Sequence, residues 1–391
     1  MATQKFAGPS PYTLDLTYQD DDYLFTQFLN NVSIKDNGRK NAAPIVAAMF
    51  GLGRAGSIHL SSIVKNPRII LKYVIDDRSD RFDDLKKYWK LSDDITFITS
   101  NESEKVYKDK SVNVVFVLTP TSTHHAIVVN ALNNNKDVFC EKPIAESIED
   151  TRKCYETAKS KGRVLYCAYN RRFDPSYRSV KEQVRKGAVG HVQMIKSTTK
   201  DSPLPPIEYL KSSAGVFHDC IVHDIDMICW VLGEVPTKVQ VAASALIPEI
   251  KNINDFDTIA YLLTFPSGAI AIGDNSRFSS FGHDQRLEVF GNKGLIKVDN
   301  EKPCPSVEYQ LARTGVKHNP IFYSFPSRYK AAYAGELEHF LDVIQYGDQA
   351  DVTSWQTLAV SKIATALEKS ARTGTIVNLE WSKDEIPAEY S

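Results

Sequence analysis

Residues 44–56 read PIVAAMFGLGRAG, a short apolar run that ends in three glycines, Gly51, Gly53 and Gly56. The run has no polar alternation, as expected of a strand buried on both faces of a parallel sheet. AGSIHLSSIVKN (55–66) follows with helical spacing, so the glycines mark a strand-to-helix turn. Glycines placed G-x-G-x-x-G let the backbone turn tightly and approach a pyrophosphate, which the helix N-terminus then holds.

Outward from the loop, IILKYVID (69–76) reads as the next strand, and its Asp76 lies 20 residues beyond Gly56. That is the spacing of an acid that accepts hydrogen bonds from a ribose 2′-hydroxyl. A carboxylate there repels a 2′-phosphate, which predicts NAD; Arg78 is the feature that would admit NADP instead. The predicted cofactor contacts in this part of the chain are Gly51, Leu52, Gly53, Arg54, Ala55, Gly56, Asp76, Asp77 and Arg78.

The alternation continues. ITFIT, VNVVFVLT, DVFC and VLYCAYN are strand-like, with the helical stretches RFDDLKKYWK, HHAIVVNALNNN and SIEDTRKCYETAKSKG between or before them. Strands alternating with helices predict an α/β domain with a doubly wound parallel sheet over 44–170. From Arg171 the pattern changes to closely linked strands: HVQMIKSTTK, TKVQVAASAL, DTIAYLLTFP, AIAIGDNSRF, RLEVFGN and GLIKVD. Pro-Ser-Gly (266–268) and Asn-Lys-Gly (292–294) join two pairs as hairpins. A second α/β domain, 171–391, with a large open and mostly antiparallel sheet is expected. Its terminal helices end at Gly347 and Gly374, and the second of them (354–374) is placed to pack back on the first domain. Residues 1–43 lack periodicity and read as an extension.

Composition narrows the function. The 391 residues are 42% hydrophobic and 24% charged, and Lys+Arg 47 against Asp+Glu 48 leaves a net charge of -1. No overall field draws such a chain to nucleic acid. No apolar stretch has membrane-spanning length, and the first residues resemble neither a secretory signal nor a transit peptide. Six cysteines without a CxxC pair point to reduced thiols, and so to a cytoplasmic protein.

Two clusters carry chemistry. DVFCEKPIA puts Glu141, Lys142 and Pro143 at the carboxyl end of the fifth strand, where ligands of such sheets bind. AGVFHDCIVHDIDMICWVLG reads as a helix with Ile221, Ile225, Ile228 and Leu232 on one face and Asp219, His223 and Asp226 on the other. A histidine near neutral pKa there can act as a base, with Asp219 one turn away to orient it. A solvated polar face is the plainer reading of the same spacing. His218, Asp219 and His223 lack metal-ligand spacing, so no metal is expected.

Taken in order, GLGRAG, LTPTSTHH, CEKPIA, YNRRFDP, AGVFHDCIVHDID and SRYKAAYAGELEHF resemble the Gfo/Idh/MocA oxidoreductases, and within them the inositol 2-dehydrogenase-like members, over roughly 44–380. The resemblance implies a Rossmann domain plus a substrate and oligomerisation domain, NAD as cofactor, and a homodimer or homotetramer. It implies that Thr119, Pro120, His124, Glu141 and Lys142 border the cofactor. It places Lys142, Asn170, Arg171, Arg172, Asp219, His223 and Tyr333 around a polyol or sugar, with Lys142, Asp219 and His223 catalytic. The chemistry expected is reversible oxidation of a secondary hydroxyl. The alternatives are an NADP-linked sugar or diol dehydrogenase, an imine reductase, or an idle cofactor-binding sensor or scaffold.

Overall fold

The computed structural model describes residues 42–386 except 314, 383 and 384, so nearly all of the predicted extension lies outside the described residues. The described residues from Pro44 onward form one compact unit. Seven helices of ten or more residues occur among the described residues: α1 Arg54–Ile63, α2 Thr121–Asn133, α3 Ile148–Lys161, α4 Pro175–Arg185, α5 Val222–Leu232, α6 Lys330–Tyr346 and α7 Ser354–Thr373.

The first sheet contains β1 Ile45–Phe50, β2 Ile69–Ile75, β3 Thr96–Ile98, β4 Val114–Val117, β5 Asp137–Glu141 and β6 Leu165–Ala168. They are ordered β3-β2-β1-β4-β5-β6 and all pair in parallel. This is the strand order of a Rossmann sheet, whose ligand crevice opens where the order reverses, between β1 and β4. The central strands are apolar throughout because helices cover both faces; every residue of β4 is buried. Local signals set the helix ends. The Ser147 hydroxyl caps α3 by accepting from Asp150 N–H, and Gly162 closes that helix in the left-handed conformation.

The second sheet joins β7 Val192–Lys200, β8 Lys238–Ser244, β9 Thr258–Thr264, β10 Ile270–Ser276, β11 Asp284–Gly291 and β12 Gly294–Val298. A separate hairpin pairs β13 Glu308–Leu311 with β14 Gly315–His318, and β15 Val377–Asn378 adds to the edge at β8. The order is β12-β11-β7-β10-β9-β8-β15, antiparallel except at β7–β10. Both anticipated hairpins are present. Helices α4, α5 and α7 pack on this sheet. On the sheet's other face a row of cross-strand neighbours, Ile270, Met194, Phe290 and Leu295, runs over four strands, and three of the four are exposed.

Two helices tie the halves together. Arg68, just before β2, donates to Glu338, Asp342 and Gln345 on α6. Tyr155 of α3 donates to Thr357 of α7 at 3.0 Å.

Candidate active site

A cleft of about 860 Å³ opens between the carboxyl ends of β1 and β4 and one end of the second sheet. Its first wall is the glycine loop. Gly51 has φ +97°, and a Cβ there would lie 2.5 Å from the Leu118 carbonyl oxygen; one at Gly56 would lie 2.1 Å from the Gly51 carbonyl oxygen. Both therefore need glycine. Gly53 differs: a Cβ there would meet no atom of the described residues within 4 Å, so among them the loop leaves open space at the start of α1. Among the described residues no side chain caps that helix, and no acid stands in its first turn. Free amides and the helix dipole face this space, which fits a pyrophosphate.

Asp76 closes the loop from below. One carboxylate oxygen accepts the Leu52 N–H at 2.6 Å and the other the Arg78 N–H at 2.8 Å. Asp77 accepts from Ser100 N–H at 2.8 Å. The exposed Arg78 guanidinium stands 3.7 Å from Asp80. Arg54 projects across the cleft, its guanidinium 5.0 Å from the Tyr209 ring centroid and 4.9 Å from that of Phe325. Leu52 and Gly56 are the two predicted cofactor contacts that do not line the cleft. Leu52 is buried and contributes its N–H to Asp76, and Gly56 packs beneath Gly51.

The second wall is the Thr119–His124 segment with the Glu141-Lys142-Pro143 turn, whose Lys142–Pro143 bond is cis. His124 is buried between them, its Nδ1 2.8 Å from the Pro143 carbonyl and its Nε2 2.8 Å from that of Thr119. Burial drives its pKa down, against the pull of those carbonyls. Glu141 is anchored by His59 Nε2 at 2.8 Å. Burial opposes ionisation of Glu141, but the His59 bond and the positive charge of Lys142 prevail and its pKa falls.

At the floor, Lys142 Nζ lies 3.1 Å from Asp219 Oδ1 and also donates to the Asp219 carbonyl. Asp219 further accepts from the Tyr209 hydroxyl at 2.8 Å and from Arg277 at 2.9 Å. Burial works against this carboxylate, yet Lys142 and Arg277 outweigh it and hold Asp219 well below the usual range. The expected orienting bond from Asp219 to His223 is replaced by these contacts. The local helix explains why. Phe217–Ile221 is a π-helical turn, and α5 begins only at Val222, so the pair is not one ordinary α-turn apart.

His223 lines the cleft, with its Nδ1 buried and without a partner among the described residues. Burial, then the charges of Lys142 and Arg171, lower its pKa well below the ordinary histidine value; Asp219 opposes them. Asn170, Arg171 and Tyr333 also line the cleft. Arg172 does not, which corrects its predicted substrate role. Its guanidinium is spent on Asp226 at 3.0 Å, with Gln356 at 2.8 Å, beneath α7. Asp226 is thereby removed from the His223 face.

Tyr209, Arg277, His283 and Tyr329 also line the cleft, and none stood out in the sequence. Burial and the nearby Arg171 and Arg328 push His283 down to about 3, so it is a neutral ring. Arg277 immediately follows β10, and its partner Asp219 is 58 residues away; nothing local marks such a pair.

Residues 45–169 match the oxidoreductase family with an NAD-binding Rossmann fold, and 177–297 match the GFO/IDH/MocA C-terminal domain. The chain belongs to the Gfo/Idh/MocA oxidoreductase family. It is 34% identical to the uncharacterized oxidoreductase YrbE of Bacillus subtilis, with 86% of this chain and 97% of that protein covered. It is 32% identical to a myo-inositol 2-dehydrogenase of Thermotoga maritima, covering 85% and 98% respectively. The crystal structure of a scyllo-inositol dehydrogenase from Lactobacillus casei with bound NAD(H) and scyllo-inositol superposes with a TM-score of 0.78. That protein is 26% identical, with 86% of this chain and 99% of that chain covered. The chain is thus an oxidoreductase of NAD-binding Rossmann type, and the open glycine loop fits that cofactor. Among the described residues no helix is long and apolar enough to cross a membrane, and no group of three potential metal ligands occurs.

Proposed function

We propose that this oxidoreductase oxidises a secondary hydroxyl of a cyclic polyol or sugar with NAD, as the inositol dehydrogenases it is similar to are named for doing. The observation that carries the reading is the Lys142–Asp219 ion pair beside a neutral His223, facing the glycine loop across one cleft. Gly51, Gly53 and the start of α1 would hold the pyrophosphate, and Asp76 a ribose. Bound NAD+ supplies the hydride acceptor. The Lys142 ammonium donates to the reacting hydroxyl and stabilises charge developing on its oxygen. His223, neutral and therefore able to bind a proton, takes the one the hydroxyl releases. Asp219 holds Lys142 in place, and Arg277 and Tyr209 hold Asp219. The polar lining from Asn170, Asp201, His283 and Tyr329 suits a ligand with several hydroxyls. The exposed row through Ile270, Phe290 and Leu295 supports a homodimer or homotetramer, which light scattering measures.

The test is a panel of inositols, sugars, diols and cyclic imines with NAD+ or NADP+ (reduced forms for the imines), followed by nicotinamide absorbance. Turnover of inositols or sugars with NAD+ is expected. Tight NADH binding with no turnover of any compound would replace this reading with the sensor or scaffold one.

A further inference from the structure

Arg54 is the first residue of α1, a place where the helix dipole disfavours a positive charge. Its side chain finds its partners across the cleft instead. The guanidinium carbon lies 5.0 Å from the centroid of the Tyr209 ring and 4.9 Å from that of Phe325. Tyr209 belongs to the five-residue helix Ile207–Lys211, in which only Leu210 is buried, and the tyrosine itself is 39% exposed. So short a helix, with one buried residue, has little of its own to fix that ring. Yet the Tyr209 hydroxyl makes a bond at the centre of the site. It donates at 2.8 Å to Asp219 Oδ1, the oxygen that stands 3.1 Å from Lys142 Nζ.

We propose that Arg54 is a positioning residue for the reaction: resting on Tyr209 and Phe325 across the cleft, it holds the Tyr209 hydroxyl on Asp219, and through Asp219 the Lys142 ammonium. The proposal rests on the role given to Lys142 above. Every link is a contact of the structure, from guanidinium to ring, from hydroxyl to carboxylate, and from carboxylate to ammonium. A guanidinium suits the task because it is planar and weakly hydrated, and is attracted to the face of a ring. Phe325 gives it a second ring, so that Arg54 is held from two segments of the second half of the chain. Without the Tyr209 hydroxyl, Asp219 Oδ1 is left to Lys142, and the ammonium settles on the carboxylate rather than facing the substrate oxygen. Arg54 starts at the helix end offered to the pyrophosphate, so one side chain reaches from the cofactor side of the cleft to the reacting side. A plain phosphate-binding arginine is the simpler reading of this loop position, and it would act on cofactor affinity alone.

Turnover at saturating NAD+, referred to folded protein, separates the two. Arg54→Ala should lower kcat roughly five- to twentyfold, about the worth of one hydrogen bond to a charged group. Tyr209→Phe, which keeps the ring and loses the hydroxyl, should lower it about as far. Because both act through one bond, the double variant should be no more than about twofold slower than the slower single variant. A second measurement needs neither cofactor nor substrate. In a denaturant-unfolding cycle of Arg54→Ala, Tyr209→Leu and their double, the two changes should be coupled by about two- to fivefold in the unfolding constant, the range of a cation–π contact at an exposed site. An unchanged kcat in Arg54→Ala, a double variant in which the two losses multiply, or additive effects on unfolding would each overturn the proposal. If no compound of the panel turns over, the reading of the site fails by itself, and the unfolding cycle still decides whether Arg54 holds Tyr209.

Discussion

The two walls of the cleft are built by different means. The glycine-loop wall is backbone: a positive φ at Gly51, two contacts too close for a Cβ, and the open start of α1. The opposite wall is side chains from distant segments, with Lys142 and Asp219 77 residues apart, Arg277 and Asp219 58 apart, and Arg171 and Asp224 53 apart. A backbone wall can bind a cofactor common to many reactions, whereas a side-chain wall selects one reaction. Substitutions on the two walls should therefore fail in different measurements.

The largest effect is expected on the side-chain wall. In the proposed reaction Lys142 faces the reacting oxygen, so Lys142→Met should lower kcat about 10²-fold or more. NADH affinity, measured by fluorescence titration, should stay close to that of the unaltered protein. Equal losses in both would mean that the walls are not separable.

The next contrast lies within the glycine loop. Gly56→Ala puts a methyl 2.1 Å from the Gly51 carbonyl oxygen, so backbone must move. A stability loss of about 1–3 kcal/mol is expected from denaturant unfolding. Gly53→Ala has no neighbour to strike among the described residues and an ordinary φ of -68°, so stability should change by less than about 0.5 kcal/mol. Its methyl nonetheless occupies the space offered to the pyrophosphate, and NADH should bind several-fold more weakly. Unchanged NADH binding in Gly53→Ala would remove the cofactor from this loop.

The same division explains what the sequence reveals. Buried parallel strands, the glycine spacing and the hairpin turns are local patterns, so all six strands of the first sheet and the main strands of the second are legible. Lys142 is legible because its turn follows a strand end. The partners that position it are not. Arg277 reads as part of a strand, and Tyr209 sits on a five-residue helix with no periodicity of its own. Arg172 misleads because its sequence neighbour Arg171 does reach the cleft, while a 3₁₀ turn over Asn170–Phe173 sends Arg172 to Asp226. The π-turn at Phe217–Ile221 is likewise invisible to a reading that assumes 3.6 residues per turn.

A smaller effect should separate NAD from NADP. Asp76 uses its carboxylate on the Leu52 and Arg78 amides and still faces the cleft. Asp76→Ser keeps an acceptor but removes the negative charge, so the preference for NAD(H) over NADP(H) should narrow or reverse. Tighter NADP(H) binding by the unaltered protein would contradict the role of Asp76 and bring Arg78 forward.

The smallest effect is a shift of the pH profile, and its sign is the test. If His223 takes the proton, oxidation rises with pH through the histidine's apparent pKa, since only the neutral ring accepts. Burial, Lys142 and Arg171 lower that pKa, so the acid limb should lie below the ordinary histidine value of 6.5. Removing the Lys142 charge in Lys142→Met relieves repulsion of the imidazolium, and the limb of the residual activity should move to higher pH. Asp219 favours the imidazolium, so Asp219→Asn should move the limb to lower pH. Each shift should be less than about one unit, because burial is the leading cause and neither substitution changes it. An NMR titration of the His223 ring gives the same two signs without relying on weak activity. Shifts in the same direction, or an acid limb that survives His223→Ala, would move the base to another group, with Lys142 the first to examine. Because Asp219 acts in the proposed reaction by holding Lys142, the double variant should be slower than His223→Ala alone.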